Sequence, residues 1–310
     1  MDVSVVLATH RRPQLLQETL ASIARARRPP AGFEVVVCDN AGDPETEAVC
    51  RDGGYELELQ YLVERTPGKN AALNLAVEEA RGDLFLFTDD DVIVDESWIE
   101  EMWEGARRWT DHVVFGGRVL PVWPEPLPSY LNNESLHGIF FSRLDPPIPE
   151  GPDPAFLPFG PNMAIRRSVF DAGHRYNAEV GPSGRSYIMG SETDMVRRLK
   201  DIGQTPVFLP GSSVGHRVRR DQYSLSWLIR RSVNYGRSLG YRATIGQDLH
   251  TAEPVPRLLR AVVMGTLRAG WHVARRAPAD AFDQASGVAI CAGRLYQRMR
   301  MGRRHAHGPE

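Results

Sequence analysis

The stretch Leu84-Phe85-Leu86-Phe87-Thr88-Asp89-Asp90-Asp91 decides the fold. A short apolar run bounded by polar residues is typical of a buried strand in a parallel sheet. Ligands of open α/β sheets bind outside the carboxyl ends of the strands, so this strand predicts three carboxylates at a ligand site. Because adjacent carboxylates repel one another, a divalent cation with oxygen ligands is their simplest partner. On this stretch alone, an acidic corner exposed to solvent remains an alternative.

Working outward, strands and helices alternate through the first ninety residues. Apolar and β-branched runs predict strands over residues 3–9, 33–38, 57–63 and 84–88. Helical patterns cover residues 14–25, 45–51 and 70–81, the first with a proline in its opening turn. This alternation predicts a parallel sheet with right-handed crossovers.

Polar residues follow three of these strands, namely Thr9-His10-Arg11, Asp39-Asn40 and the three aspartates. They should meet at one edge of the sheet, where a nucleotide would lie. Neither a Gly-x-Gly-x-x-Gly turn after the first strand nor a Walker A sequence occurs. A dinucleotide dehydrogenase and a P-loop NTPase are therefore both disfavoured.

Beyond residue 95 the pattern predicts a helix over 98–108, a strand over 113–122 and a short strand over 159–165. Residues 121–161 are dense in proline and aromatic residues, which favours a functional loop forming part of an acceptor wall, or else an ordinary hydrophobic crossover. Ser191 is a suitable N-cap, and Glu192 and Asp194 suit the first turn of its helix for structural reasons alone. Either acid could instead be a general base. Strands over 207–209 and, separately, 214–216 precede helices over 225–239, 255–276 and 282–299.

The length of 310 residues suits one large domain or two ordinary ones. Charge is unevenly distributed along this length. The net charge is -2, but residues 216–310 contain 17 basic and 6 acidic residues, a balance of +11 that leaves -13 for the first 215. Helices mixing arginine with apolar residues are typical of peripheral membrane contact. A homodimer surface, a support for the acceptor site or a solvated helix pair are the alternatives, and no nucleic-acid partner is expected.

Location can also be predicted. Cys38, Cys50 and Cys291 lack metal-site or redox spacing, which indicates a reduced, cytoplasmic setting. The chain enters a strand-like run at once, so no signal peptide is expected, and no apolar stretch is long enough for a transmembrane helix.

Taken in order, several segments resemble the family 2 inverting glycosyltransferases of the GT-A fold, over about residues 2–240. The segments are 3–12 (VSVVLATHRR), 35–40 (VVVCDN), 67–74 (PGKNAALN), 87–92 (FTDDDV), 160–167 (GPNMAIRR), 190–195 (GSETDM) and 214–216 (VGH). The resemblance implies an α/β fold with a single Rossmann-like, mainly parallel sheet, flanking helices and a C-terminal helical extension. The implied domains are 1–220, with a nucleotide-sugar half (1–120) and an acceptor half (121–220), and a helical extension over 221–310.

The resemblance also implies a role for each matching residue. Asp39 would read the base, usually uracil. The nucleotide would be lined by Ala8, Thr9 and Arg11, with Lys69 near the base or the diphosphate and Asn162 beside the donor sugar. Residues 89–91 match the family's DXD motif, in which Asp89 would hold the ribose side and Asp91 the metal, with Asp90 a rival for either role.

His216 matches a histidine that completes the metal site in some members, and the cofactor would be Mn²⁺ or Mg²⁺. The family usually has Glu-Asp at its base position, whereas this chain has Ser191-Glu192. Glu192 therefore takes the role of base, with Asp194 as the fallback.

The implied reaction moves a sugar, with inversion, from a nucleotide diphosphate sugar, expected to be a UDP-sugar, to a hydroxyl of a glycan, a lipid or lipid-linked acceptor, or a small molecule. A sugar nucleotidyltransferase and a non-catalytic, membrane-docked module that binds sugar nucleotides are the alternatives.

Overall fold

The computed structural model describes residues 2–30, 32–183, 186–246 and 253–306. The chain forms two compact units that interleave along the sequence. The sheet unit comprises Met1–Val122, Ser142–Ser186 and Gly190–Arg217, and the helical unit comprises Trp123–Phe141, Tyr187–Met189 and Val218–Glu310. The division into domains at residue 220 stays a prediction.

The strands in chain order are β1 (Val3–Thr9), β2 (Phe33–Asp39), β3 (Glu58–Val63), β4 (Leu84–Asp89), β5 (Val92–Val94), β6 (Val114–Val122), β7 (Gly151–Pro152), β8 (Met163–Arg166), β9 (Gly181–Ser183), β10 (Ser186–Ile188) and β11 (Val207–Arg217). The α-helices are α1 (Pro13–Ala24), α2 (Pro44–Asp52), α3 (Lys69–Glu79), α4 (Trp98–Arg108), α5 (His137–Phe141), α6 (Arg167–Asp171), α7 (Ser191–Asp201), α8 (Leu225–Thr244), α9 (Val255–Ala274) and α10 (Pro278–Ala306).

One sheet dominates the sheet unit, with strand order β3-β2-β1-β4-β8-β6-β11-β5 and β7 paired to β11. Strands β3, β2, β1 and β4 run parallel, as do β6 and β11, while β8 is antiparallel to both β4 and β6. In the register of β1, Thr9 lies opposite Asp39 and Ala8 opposite Asp89. The predicted α/β fold is confirmed, and the sequence-predicted polar residues lie together at the carboxyl ends of β1, β2 and β4.

Both faces of the sheet are buried at β1, β2 and β4, which explains why these strands are largely apolar runs. Val5 and Leu7 of β1 belong to one hydrophobic cluster, whereas Val6 between them belongs to the cluster on the opposite face. Strand side chains alternate between faces, so each apolar strand contributes to two cores. Trp98 of α4 is fully buried in the first core.

Three local predictions were wrong. The strand predicted over residues 159–165 begins only at Met163, because residues 160–162 form a 3₁₀ turn. Residues 207–209 and 214–216 belong to the single strand β11, because the interruption at Pro210-Gly211 is absorbed as a register irregularity between Phe208 and Ser213. Ser191 is not the N-cap of α7 but its first, buried residue. The cap is Gly190, whose φ of 100° is a left-handed conformation that favours glycine.

The helical unit is built on α8 and α10, which approach each other closely. A Cβ placed on Gly236 would lie 2.0 Å from the carbonyl oxygen of Ile290, and one on Gly293 would lie 2.1 Å from that of Val233. Within the predicted 121–161 loop region, α5 contributes Phe140 and Phe141 to this unit's apolar core. Among the described residues, no helix is both long and apolar enough to cross a membrane.

Candidate active site

Three potential metal ligands converge where β4 ends. Strand β5 pairs antiparallel with β11 so that Val92 lies opposite His216, which brings that imidazole beside the acidic turn. The Nε2 atom of His216 lies 3.4 Å from Oδ1 of Asp91. Asp89, Asp91 and His216 each offer one ligand atom, and these atoms lie within 4.8 Å of one another. Two carboxylates and an imidazole are a donor set that fits a divalent cation such as Mn²⁺ or Mg²⁺.

Asp90 has different contacts from its two neighbours. Its carboxylate is buried and accepts a hydrogen bond from Thr9 Oγ1 at 2.8 Å and one from Arg12 Nη1 at 3.1 Å. Burial and the charge of Asp91 raise the pKa of Asp90 to about 6, against the opposing effects of Arg12 and Thr9. Asp90 therefore connects the acidic turn to β1, and its side chain is not one of the three clustered ligands.

Arg12, the neighbour of the sequence-predicted nucleotide-binding residue Arg11, contacts the acids. Its Nη1 also lies 3.4 Å from Asp91 Oδ2, whereas Arg11 is exposed and has a left-handed φ of 52°. Pro13 at the first position of α1 makes Arg12 the N-cap residue, and this proline was the sequence signal that could have selected Arg12. The outcome leaves the nucleotide-binding role of Arg11 a prediction.

Thr19 of α1 was also missed by sequence reasoning. Its hydroxyl lies 3.0 Å from the Asp90 carbonyl oxygen and 2.8 Å from that of Val92. It thereby holds the backbone of the acidic turn against the helix. A buried threonine inside an amphipathic helix carries no sequence signal for such a contact.

Lys69 joins the acidic turn to the sequence-predicted base. Its Nζ lies 2.6 Å from Asp89 Oδ1 and 2.6 Å from Glu192 Oε1. Burial alone would lower the pKa of the Lys69 ammonium, but the charges and hydrogen bonds of the two carboxylates raise it well above its ordinary value. The ammonium therefore stays charged and holds both carboxylates in place.

Asn40 fixes the loop that leads to Lys69. Its Oδ1 accepts a hydrogen bond from the amide of Gly68 at 2.7 Å, and its Nδ2 donates to the carbonyl oxygens of Glu64 and Thr66. The side chain thereby connects the carboxyl end of β2 with the start of α3. Its place directly after Asp39 was noted in the sequence, but this bracing role was missed.

Glu192 and Asp194 lie in the same turn but differ in their contacts. Glu192 packs so closely on Gly160 that a Cβ at that glycine would lie 2.4 Å from Glu192 Oε1. Asp194 is buried and forms an ion pair with Arg198 of its own helix at 3.0 Å. Of the two acids, Glu192 is the one that shares Lys69 with Asp89.

The two remaining sequence-predicted residues are bound into the fold. The Asp39 carboxylate accepts hydrogen bonds from the amides of Ala41 and Asp43 and from the Tyr61 hydroxyl, at 2.7–2.9 Å. Burial and this bond to Asp39 raise the pKa of Tyr61. Asp39 thus supports the loop after β2, and its contact with a base stays a prediction.

Asn162 is fully buried. Its Oδ1 accepts a hydrogen bond from Trp98 Nε1 at 2.8 Å, and its Nδ2 donates to the carbonyl oxygens of Arg118 and Ser212 at 2.8 and 3.1 Å. These contacts join four elements of the sheet unit. A place beside a donor sugar stays a prediction.

Comparison with known proteins places this chain in a family. The family model described as glycosyl transferase family 2 matches residues 4–173. The succinoglycan biosynthesis protein ExoM of Rhizobium meliloti is 26% identical over 98% of this chain and 89% of its own length. The glucosyl-dolichyl phosphate glucuronosyltransferase of Haloferax volcanii is 23% identical over 77% of this chain and 76% of its own.

A solved structure supports the fold assignment. The mannosyltransferase PcManGT from Pyrobaculum calidifontis, in complex with GDP-Man and Mn²⁺, superposes with a TM-score of 0.62 and 17% identity over 96% of this chain and 87% of its own. This likeness confirms the predicted GT-A fold.

Proposed function

We propose an inverting, metal-dependent sugar transfer for this chain, which belongs to glycosyl transferase family 2 and is a glycosyltransferase. The sugar passes from a nucleotide diphosphate sugar to a hydroxyl acceptor, with a divalent cation as cofactor. The observation that carries the proposal is the lysine shared by the two halves of the site. Lys69 contacts Asp89 of the candidate cation cluster and Glu192, the candidate base, at 2.6 Å each.

Asp89, Asp91 and His216 are the residues that would hold the cation, Mn²⁺ or Mg²⁺. When bound, the cation would neutralise negative charge that develops on the leaving diphosphate. Lys69 and Arg12 add fixed positive charge at the same edge of the sheet, within reach of the acids. Thr9 and Arg12 hold Asp90 by hydrogen bonds, which supports the backbone of the turn.

Glu192 is our candidate for the general base. In an inverting transfer its carboxylate would accept the proton of the acceptor hydroxyl while that oxygen attacks the anomeric carbon on the face opposite the diphosphate. The lysine contact supports Glu192 over Asp194, because it fixes the Glu192 carboxylate beside the cation cluster, whereas Asp194 is tied to Arg198. Asp194 remains the second candidate.

The donor we propose is a UDP-sugar, in keeping with the match of Asp39 to the residue that reads uracil. Ala8, Thr9, Arg11 and Asn162 are proposed to line it. The solved mannosyltransferase is in complex with GDP-Man, so a guanine nucleotide is the comparison to test.

The acceptor we propose is a hydroxyl of a glycan, which a lipid could carry, or of a small molecule. A lipid-linked acceptor is supported by the Haloferax volcanii relative, a glucosyl-dolichyl phosphate glucuronosyltransferase. We also propose a cytoplasmic location with peripheral membrane contact. Support for a reducing compartment comes from the cysteines, because Cys38, Cys50 and Cys291 are all free thiols.

The test is a donor screen with UDP-, GDP- and dTDP-sugars and Mn²⁺ or Mg²⁺, followed by Glu192→Gln. We expect release of free nucleoside diphosphate, and a decrease in its rate of roughly 10²–10⁴-fold in the variant, the usual contribution of a general base. Donor affinity, measured by calorimetry, should persist.

Other results would redirect the assignment. Full activity of Glu192→Gln together with an inactive Asp194→Asn would assign the base to Asp194. Pyrophosphate formation from a sugar phosphate and a nucleoside triphosphate would instead indicate a nucleotidyltransferase. Donor binding without turnover on any acceptor would indicate a binding module.

A further inference from the structure

Helix α9 has an apolar face that no described part of the chain covers. Leu258 is fully buried, but four residues spaced four apart are exposed, from 51% at Trp271 to 63% at Leu267, with Leu259 and Val263 between those values. Residues at this spacing form one continuous row along a helix. A surface helix normally turns its apolar stripe inward and its polar residues outward, and α9 has a second, outward apolar row.

Arginines flank this row. Arg257, Arg260 and Arg268 are all exposed, and their spacing places them along one side of the helix. No Asp or Glu occurs between Val255 and Ala274. Just past the end of the helix, Arg275 stacks over the Trp271 ring, with its guanidinium carbon 3.9 Å from the ring centroid.

We infer that this face of α9 docks on an anionic lipid bilayer. An apolar row with Trp at one end, next to a row of cations and without acids, has the chemistry of a helix lying in the interface between acyl chains and negatively charged headgroups. The aromatic ring and the arginine stems suit that boundary because each combines an apolar body with a polar end. The helix lies on the membrane rather than crossing it.

The positive charge of α9 favours an anionic bilayer over a second copy of the chain as the partner of this face. In a symmetric dimer built on this face, each copy would present the same arginines to the other, and α9 contains no acid to pair with them. An anionic lipid surface supplies the missing negative charge along the whole helix. The inference is independent of which acid is the catalytic base.

The test is co-sedimentation of the full chain with vesicles of phosphatidylcholine alone or with added phosphatidylglycerol. We expect binding to the anionic vesicles that weakens as salt rises, and much weaker binding to the neutral ones. Leu267→Ser combined with Trp271→Ser should abolish binding, whereas Ile202→Ser, which alters an equally exposed apolar residue in the sheet unit, should bind like the unmodified chain.

Charge is tested separately. Arg260→Ser with Arg268→Ser should weaken binding on the order of tenfold or more and flatten its salt dependence, since each arginine near an anionic surface contributes appreciably. Arg25→Ser, an exposed arginine at the end of α1, is the matched control.

Three results would overturn the inference. The first is equal binding to both kinds of vesicle, or no binding, by the unmodified chain, a comparison that requires no variant to fold. The second is unimpaired binding by the Leu267/Trp271 variant. The third is a dimer in sedimentation velocity that this variant converts to a monomer, which would identify a second copy as the occupant. Donor hydrolysis without vesicles should be unchanged in all these variants. A failure of the membrane inference can therefore be distinguished from a failure of the proposed function, which is tested by the activity of Glu192→Gln.

Discussion

The two ends of the sheet both bury carboxylates, but in opposite ways. At the amino ends of the strands, Glu34 accepts hydrogen bonds from the Ser4 hydroxyl, the Arg81 amide and the Arg81 guanidinium, all at 2.6–2.8 Å. At the carboxyl ends, Asp89, Asp90 and Asp91 follow one another directly, with Lys69 and Arg12 as their basic neighbours.

The pKa shifts have opposite signs as a result. Burial raises the pKa of Glu34, but the bonds from Ser4 and Arg81 outweigh it, and the net pKa lies below the ordinary value. Burial and the neighbouring charge of Asp91 raise the pKa of Asp90 to about 6. Glu34 is therefore an acid that the fold satisfies, whereas the acidic turn has negative charge available for a ligand.

The largest difference between the ends should be in cation binding. We expect Asp91→Asn to weaken Mn²⁺ binding on the order of 100-fold, because a charged ligand is replaced by a neutral amide. Calorimetric titration of the folded chain with Mn²⁺ measures this directly. Glu34→Gln is the matched control and should bind Mn²⁺ like the unmodified chain; equal affinities of all three proteins would remove Asp91 from the metal site.

The free energy of unfolding should depend more strongly on Glu34, at the amino ends of the strands, than on Asp90, at the carboxyl ends. Glu34→Gln is expected to lower the free energy of unfolding by about 1–3 kcal/mol, because hydrogen bonds to a buried charge are lost. Urea unfolding of metal-free protein measures this loss. Asp90→Asn should cost less, since it also removes repulsion from Asp91; a greater cost for Asp90→Asn would contradict the comparison.

The smallest effect is the response to pH in metal-free protein. The pKa of Glu34 is lower in the fold than its reference value of 4.5, so its contribution to stability is present above that pH and is lost as the pH falls through the lower, folded pKa. The stability gap between the unmodified chain and Glu34→Gln should therefore close in acid.

Asp90 should behave oppositely. Its pKa is raised from 3.8 to about 6, so its contribution is most favourable below 3.8 and declines as the pH rises through this window. Urea unfolding of the unmodified chain and of Asp90→Asn at several pH values shows whether the contribution of Asp90 to stability falls as the pH rises. For each variant, the difference in unfolding free energy from the unmodified chain is followed against pH. If this difference changed in the same direction for Glu34→Gln and Asp90→Asn, the two ends of the sheet would not differ in this way.

Local patterns predicted the first half of the sheet well, because a buried parallel strand is largely apolar and its end is marked by polar residues. The run from Leu84 to Asp91 and the convergence of Thr9, Asp39 and Asp89 were confirmed for that reason. These features depend on residues close in sequence and on one general rule about parallel sheets.

Contacts between distant segments were harder to predict. The motif match proposed His216 as a ligand, but only the pairing of β5 with β11 explains why it lies beside Asp91. The contact of Arg12 with the acids was not predicted, although Pro13 marks Arg12 as the residue that precedes α1. For Asn162, a motif predicts proximity to the site but not that its amide binds Trp98 and two carbonyl groups.

The position of His216 on β11 has a consequence for the stability of the metal-bound chain. The proposed metal site requires the last strand of the sheet to be paired with β5, because Asp89 ends β4 and Asp91 lies in the following turn, whereas His216 lies on β11. Mn²⁺ should then bind the native chain much more tightly than any partly assembled form, and so raise its melting temperature. The ion would then stabilise this long-range strand pairing in addition to serving as the cofactor for glycosyl transfer.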